Sequence, residues 1–229
     1  FIKKVHDTFV ELENKMFVGL FKYENKKSIN SIFVEMDYVI SQAKLFSEKE
    51  YYFIEEIDNC KTKEQWINII NISLKEDCFE LVYRNVVDIN LKNMIHKTIS
   101  FELNYKEENL SYKDFIASVL ELDRLNDVYL YIINKVLDIN KNLNESISIQ
   151  LPTLFIEDLN NYSILKELFT KYKNEKNQNI IFEIEEDSFN KNLKNTFMYV
   201  NLFKEFNFGF AIFNFIANSD DYNYLKELR

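Results

Sequence analysis

A chain of 229 residues that is 47% hydrophobic and 16% aromatic has the material for one large core or two modest ones, so it is globular rather than disordered. Its formal net charge of −9, from 37 acidic and 28 basic residues, argues against a nucleic-acid groove or an anionic-membrane anchor, since both need concentrated positive charge. Its only two glycines, Gly19 and Gly209, cannot build a G-x-G-x-x-G turn, a Walker A loop or a G-x-S-x-G elbow.

Cys60 and Cys78 lack C-x-x-C spacing, and His6 and His96 lie far apart in sequence, which argues against a zinc cluster or a disulfide framework. No apolar run reaches the length of a membrane span, and FIKKVHDTF at the N-terminus carries charges where a signal peptide has its hydrophobic stretch. The expected location is the cytoplasm.

In chain order, Ile2, Val5, Phe9 and Leu12 have the spacing of a helix with one buried face over residues 1–12. MFVGLFKY (16–23) reads as a strand. Ser28 can cap a helix whose stripe is Ile29, Ile32, Phe33, Met36, Val39, Ile40 and Ala43, and YYFIEE (51–56) is a strand again. The polar segment 58–65 starts a new pattern and is taken as a domain boundary. A helix follows from Trp66 to about Lys75.

CFELVYRNVVDI (78–89) and MIHKTISFEL (94–103) are β-rich and joined by the short polar NLKN, so they must run antiparallel. Ser111 with Asp114 forms a capping-box pattern opening a helix through Leu122, and a longer helix covers 126–136 and beyond. Strands at 146–151, 179–184 and 208–215 then alternate with helices at 162–172 and 188–206 and a last helix starting near Asp220. This alternation predicts an α/β chain in which a small α/β fragment precedes a β/α (TIM-type) barrel with an antiparallel first strand. Five strands are visible after residue 66, whereas an eight-stranded barrel needs three more, so the barrel is expected to be incomplete within this numbering.

The order of elements and several residues resemble bacterial cyclic di-GMP signalling proteins in which a GGDEF domain precedes an EAL domain. MDYVISQAK (36–44) followed by YYFIEE resembles the closing helix and strand of a GGDEF domain, which assigns residues 1–57 to its C-terminal part. FELVYRNVVDI resembles the EAL opening strand, LSYKDFI (110–116) the stretch after the signature strand, and SISIQL the strand that normally ends in Asn. IIFEIEE (180–186) resembles the E-I-T-E strand end, and FGFAIFNFIANSDDYNYLKEL (208–228) the strand that normally ends in two aspartates. The resemblance rests on collinearity and assigns residues 66–229 to the first five strands of an EAL-like barrel.

An active EAL enzyme, as the resemblance implies, holds two divalent cations on carboxylates and an Asn at strand ends, and these activate water for attack on a phosphodiester. Here the signature Glu position falls on Lys97 or Thr98, the Asn position on Gln150, the adjacent Ser position on Pro152, and the aspartate pair on Phe213 and Asn214. Glu183 matches, and Glu186 matches the second Glu of its motif. Hard cations need oxygen ligands, so these replacements remove most of the site. The acidic run 183–187 also has a bland reading, since it precedes a helix whose exposed N–H groups favour negative charge.

Arg84 stands where the family has a ligand-contacting Gln and could grip a phosphate, although an exposed or ion-paired Arg is the commoner case. His96 reads as a structural histidine, and the aromatic run Phe203, Phe206, Phe208, Phe210, Phe213 and Phe215 could stack on a guanine, although its alternation from Phe206 onward better fits a buried strand. The expectation is a catalytically inactive EAL-like regulatory or protein-interaction module, with Arg84 and Glu183 as candidate ligand-binding residues. The alternatives are an active metal-dependent cyclic di-GMP phosphodiesterase or a receptor that binds the dinucleotide without cleaving it. No cofactor is expected, Mg²⁺ or Mn²⁺ being needed only by the phosphodiesterase. Partners are expected among proteins, with cyclic di-GMP as candidate ligand and a homodimer left open. DNA, RNA and membrane contacts are not expected of this segment.

Overall fold

The computed structural model describes residues 17–22, 27–46, 51–54, 60–90, 93–140, 145–173, 179–215 and 222–228. The helix expected over 1–12, and His6 within it, lie outside the described residues. β1 (Gly19–Phe21) and β2 (Tyr52–Ile54) pair in parallel and are connected through α1 (Ile29–Phe46). Ser28 Oγ accepts the Ser31 N–H at 3.2 Å, the N-terminal cap expected from sequence. A Cβ on Gly19 would stand 2.7 Å from Val39 Cγ1 and 3.0 Å from the Val39 carbonyl carbon, so this glycine permits α1 to lie against β1.

The second pattern opens with α2 (Lys63–Glu76), held by a capping box in which Thr62 and Gln65 exchange hydrogen bonds of 3.3 and 2.7 Å. It ends at Asp77, whose φ of 57° turns the chain left-handed. β3 (Phe79–Val87) and β4 (Met94–Tyr105) then form the expected antiparallel hairpin, with Phe79 opposite Leu103. β5 (Glu108–Leu110) adds a short return strand that the sequence reading did not include, turning through Lys106 at φ 56°.

The Ser111 N–H is donated to Asp114 Oδ2 at 2.8 Å, opening α3 (Tyr112–Glu121), and α4 (Leu125–Asn140) follows. β6 (Ile147–Leu151), β7 (Ile180–Glu185) and β8 (Gly209–Phe213) join β4 in parallel, giving the order β3-β4-β6-β7-β8. Between β6 and β7 the chain forms α5 (Thr153–Glu157) and α6 (Leu159–Lys171). The single helix expected over 188–206 is two, α7 (Glu186–Lys191) and α8 (Leu193–Glu205), separated at Asn192, whose φ of −145° interrupts the helical backbone. α9 (Asn223–Glu227) is the last described element.

Alternation along each strand sorts the sheet into two faces. Ile99, Phe101, Leu103, Ile147, Ile149, Leu151, Ile180, Phe182 and Ile184 are buried in the core. There the Phe182 ring stacks on Phe203 of α8 at 4.4 Å, and Phe169 of α6 meets Phe208 at 4.5 Å. Each such side chain contributes about 1.5–3 kcal/mol on burial, which fastens the crossover helices to the sheet. The buried strand expected from Phe206 onward holds in part: Phe206 and Phe208 are buried, but Phe206 ends α8, Phe210 and Phe213 on β8 are half-buried, and Phe215 is half exposed. The other parity carries Arg84, His96, Thr98, Ser148, Gln150, Glu183 and Phe213, so the polar candidate residues collect on the opposite face.

Candidate functional site

The strand ladder places the candidates by register. In one row Arg84 of β3 faces Thr98 of β4, and Thr98 neighbours Ser148 of β6. In the next, Gln150 of β6 neighbours Glu183 of β7, which neighbours Ala211 of β8. Of the two residues at the signature position, Thr98 therefore lies on the polar face. Lys97 has the opposite parity, with Ile99, and its Nζ pairs with Glu145 at 2.5 Å.

Glu183 is the centre of this face. It is 7% exposed, its Oε1 lies 3.2 Å from His96 Nε2, and its Oε2 accepts the Gln150 side-chain N–H at 2.9 Å. A buried carboxylate is costly unless its lone pairs are engaged, and here β4 and β6 each supply a donor to it. His96, read from sequence as structural, is thus brought to Glu183, the first of the two matching carboxylates. Its period-two spacing from Thr98 was the available signal, but the partner on β7 could not be known without the strand order. Two side-chain atoms on this face, His96 Nδ1 and Ser148 Oγ, are buried without a hydrogen-bond partner.

The remaining candidates separate. Glu186 is buried at the start of α7 and accepts the Tyr224 hydroxyl at 2.7 Å, which ties α9 to α7. Burial, and then the Glu186 carboxylate, push the Tyr224 hydroxyl above its ordinary range. Phe213 neighbours Glu185 across the β7–β8 ladder, and Asn214, at φ 51°, donates its side-chain N–H to Glu185 Oε1 at 3.2 Å. Glu185 Oε2 also accepts the Thr153 hydroxyl at 3.1 Å. Arg84 is exposed and makes no ion pair or hydrogen bond among the described residues.

Among the described residues no three His, Cys, Asp or Glu side chains stand together at metal-binding spacing. With both Glu183 oxygens hydrogen-bonded and Glu186 engaged by Tyr224, the side chains present do not fit a pair of divalent cations, each of which needs several hard oxygen ligands. The arrangement supports hydrogen bonding and charge pairing.

The EAL domain family matches residues 67–229, and the chain belongs to that family. The fold is that of solved structures from cyclic di-GMP proteins. The Vibrio cholerae LapD S helix-GGDEF-EAL structure bound to c-di-GMP aligns with TM-score 0.78 and 17% identity, over 91% of this chain and 52% of that one. Its apo form aligns with TM-score 0.71 and 16% identity, over 100% and 56%. The FimX EAL domain from Pseudomonas aeruginosa, bound to c-di-GMP, aligns with TM-score 0.60 and 16% identity, over 70% and 66%. The chain thus spans about half the length of the LapD structures. No curated protein matches it. Among the described residues no helix is long and apolar enough to cross a membrane.

Proposed function

We propose that this chain is a catalytically silent EAL module that acts by binding, as a regulatory or protein-interaction element in cyclic di-GMP-type signalling. In this reading residues 1–57 are the end of a GGDEF-like domain and residues 66–229 the EAL-like portion. The observation that carries it is the state of Glu183, whose two oxygens are taken by His96 and Gln150 while Thr98, Phe213 and Asn214 stand where carboxylates would be needed. Two-metal hydrolysis requires both cations to be clamped against the attacking and leaving oxygens, and one engaged carboxylate cannot hold two mutually repelling dications.

The free guanidinium of Arg84 beside Thr98 favours a second reading, a receptor that grips the phosphodiester without cleaving it. The two are separated by one set of measurements. Purified protein supplied with Mg²⁺ or Mn²⁺ and cyclic di-GMP is expected to release no linear dinucleotide. Metal-dependent release that Glu183→Ala abolishes would overturn the silent reading. Calorimetric binding of the dinucleotide that Arg84→Ala weakens, without turnover, would select the receptor.

A further inference from the structure

α1 meets the EAL portion along a seam made by α3 and the start of α2. Of its buried apolar residues, Val39 lies against Gly19 of β1. The seam mixes polar side chains with Val34, Trp66 and Leu122 and is incompletely filled. It leaves a half-open cleft of about 360 Å³ lined by Asp37, Tyr38, Ser41, Lys61, Trp66 and Glu121, among others. Across it Ser41, itself 5% exposed, places its Oγ 2.7 Å from Glu121 Oε1 and 2.8 Å from the Asp37 carbonyl oxygen. A hydroxyl has one proton, so Ser41 can donate to the helix backbone or across the seam, but not fully to both. The bond that joins the helices therefore has a ready alternative within α1.

A contact of this kind, partly polar, with space in it and with a local substitute for its hydrogen bond across the seam, resembles a transient interface more than a core. We propose that the α1–α3 seam is a reversible latch, closed by Ser41 on Glu121, through which the β1–α1–β2 segment docks on and releases from the EAL portion. The latch rests on the regulatory reading given above, since it supplies the moving contact which that reading needs. Release uncovers Trp66, which stands at the edge of the main core cluster, while Phe79, Phe101 and Phe115 stay packed on one another.

Trp66 is the single tryptophan of the chain; it lines the seam and also packs into the main core cluster, so its fluorescence responds to the seam and is read together with a separate signal for the core. In the full chain, Ser41→Ala and Glu121→Ala are expected to shift Trp66 emission to the red and to increase its quenching by acrylamide. The far-ultraviolet circular dichroism and the main cooperative thermal transition are expected to remain in place. Unchanged emission and quenching in both variants, or loosening that comes only with global unfolding, would overturn the latch. Should a truncation prevent folding, Glu121→Gln keeps the shape and removes the charge, and it is expected to give the same shift to a smaller extent. Hydrolysis of cyclic di-GMP by the unmodified chain would defeat the silent reading without altering this optical result, so the two failures are distinguishable.

Discussion

At the scale of single residues, Glu183 works as a joint between strands. Its carboxylate collects donors from β4 and β6, so its loss strands the largely buried imidazole nitrogen of His96, whereas the exposed Gln150 amide can turn to water. Leaving a buried polar group unpaired costs about 1–3 kcal/mol, and Glu183→Ala is expected to lower the urea-unfolding free energy by that order. An unchanged midpoint would mean that the two donors find other partners at no cost. Asp77 offers a different test. Hydrogen bonds from Lys135 and then Tyr131 hold its carboxyl below the usual carboxylate range. Its folded value lies below its unfolded one, so the stabilisation is present above the unfolded value of about 3.9 and lost as pH falls through the folded value. Asp77 is largely exposed and solvent screening keeps the effect small. The Asp77→Asn variant should therefore show a shallower loss of stability than the parent on acidification from about pH 5 to pH 2. Identical profiles would contradict the assignment.

At the scale of elements, the scarcity of glycine sets the style of the turns. Left-handed backbone falls on Asp77, Lys106, Asp123, Asn207 and Asn214, and not on either glycine. Asn and Asp tolerate that region through local hydrogen bonding, but a lysine gains no such relief. Lys106 opens the two-residue β4–β5 turn, and at that position Gly is the favoured residue when only the first central residue has positive φ. Lys106→Gly is expected to raise stability by about 1 kcal/mol through removal of the Cβ penalty. A fall in the thermal midpoint would show that the contact of Lys106 Nζ with the Tyr105 ring outweighs the strain. The capping boxes at Thr62 and Ser111 show the opposite case, in which the local sequence already agrees with the fold.

At the scale of the whole molecule, the parallel portion of the sheet is fastened to its crossover helices by an aromatic cluster. Phe203 stacks on Phe182 and also approaches Phe169 and Tyr199, so α6, β7 and α8 meet at one ring. Phe203→Ala is expected to cost about 3–5 kcal/mol, read from denaturant unfolding, because the surrounding rings cannot collapse into the space. A loss below about 1 kcal/mol would mean that this end of the sheet is loosely packed. The polar face is the reverse of this core. It brings Arg84, His96, Thr98, Gln150 and Glu183 onto one side of four strands.

The sequence by itself determined the alternation of strands and helices, the antiparallel hairpin and the parallel order after it. These follow from local periodicity, capping and the length of each connection, all of which are written along the chain. It also singled out Glu183 and Arg84 as residues of interest. It left Lys97 and Thr98 as alternatives, because two adjacent residues differ only in which face of the strand they occupy, and a one-residue shift exchanges the faces. Only the tertiary structure assigned Thr98 to the polar face, brought His96 to Glu183 and turned Glu186 toward Tyr224. These pairings join positions 87 and 38 residues apart, and such contacts depend on strand register and helix docking, which no local pattern encodes.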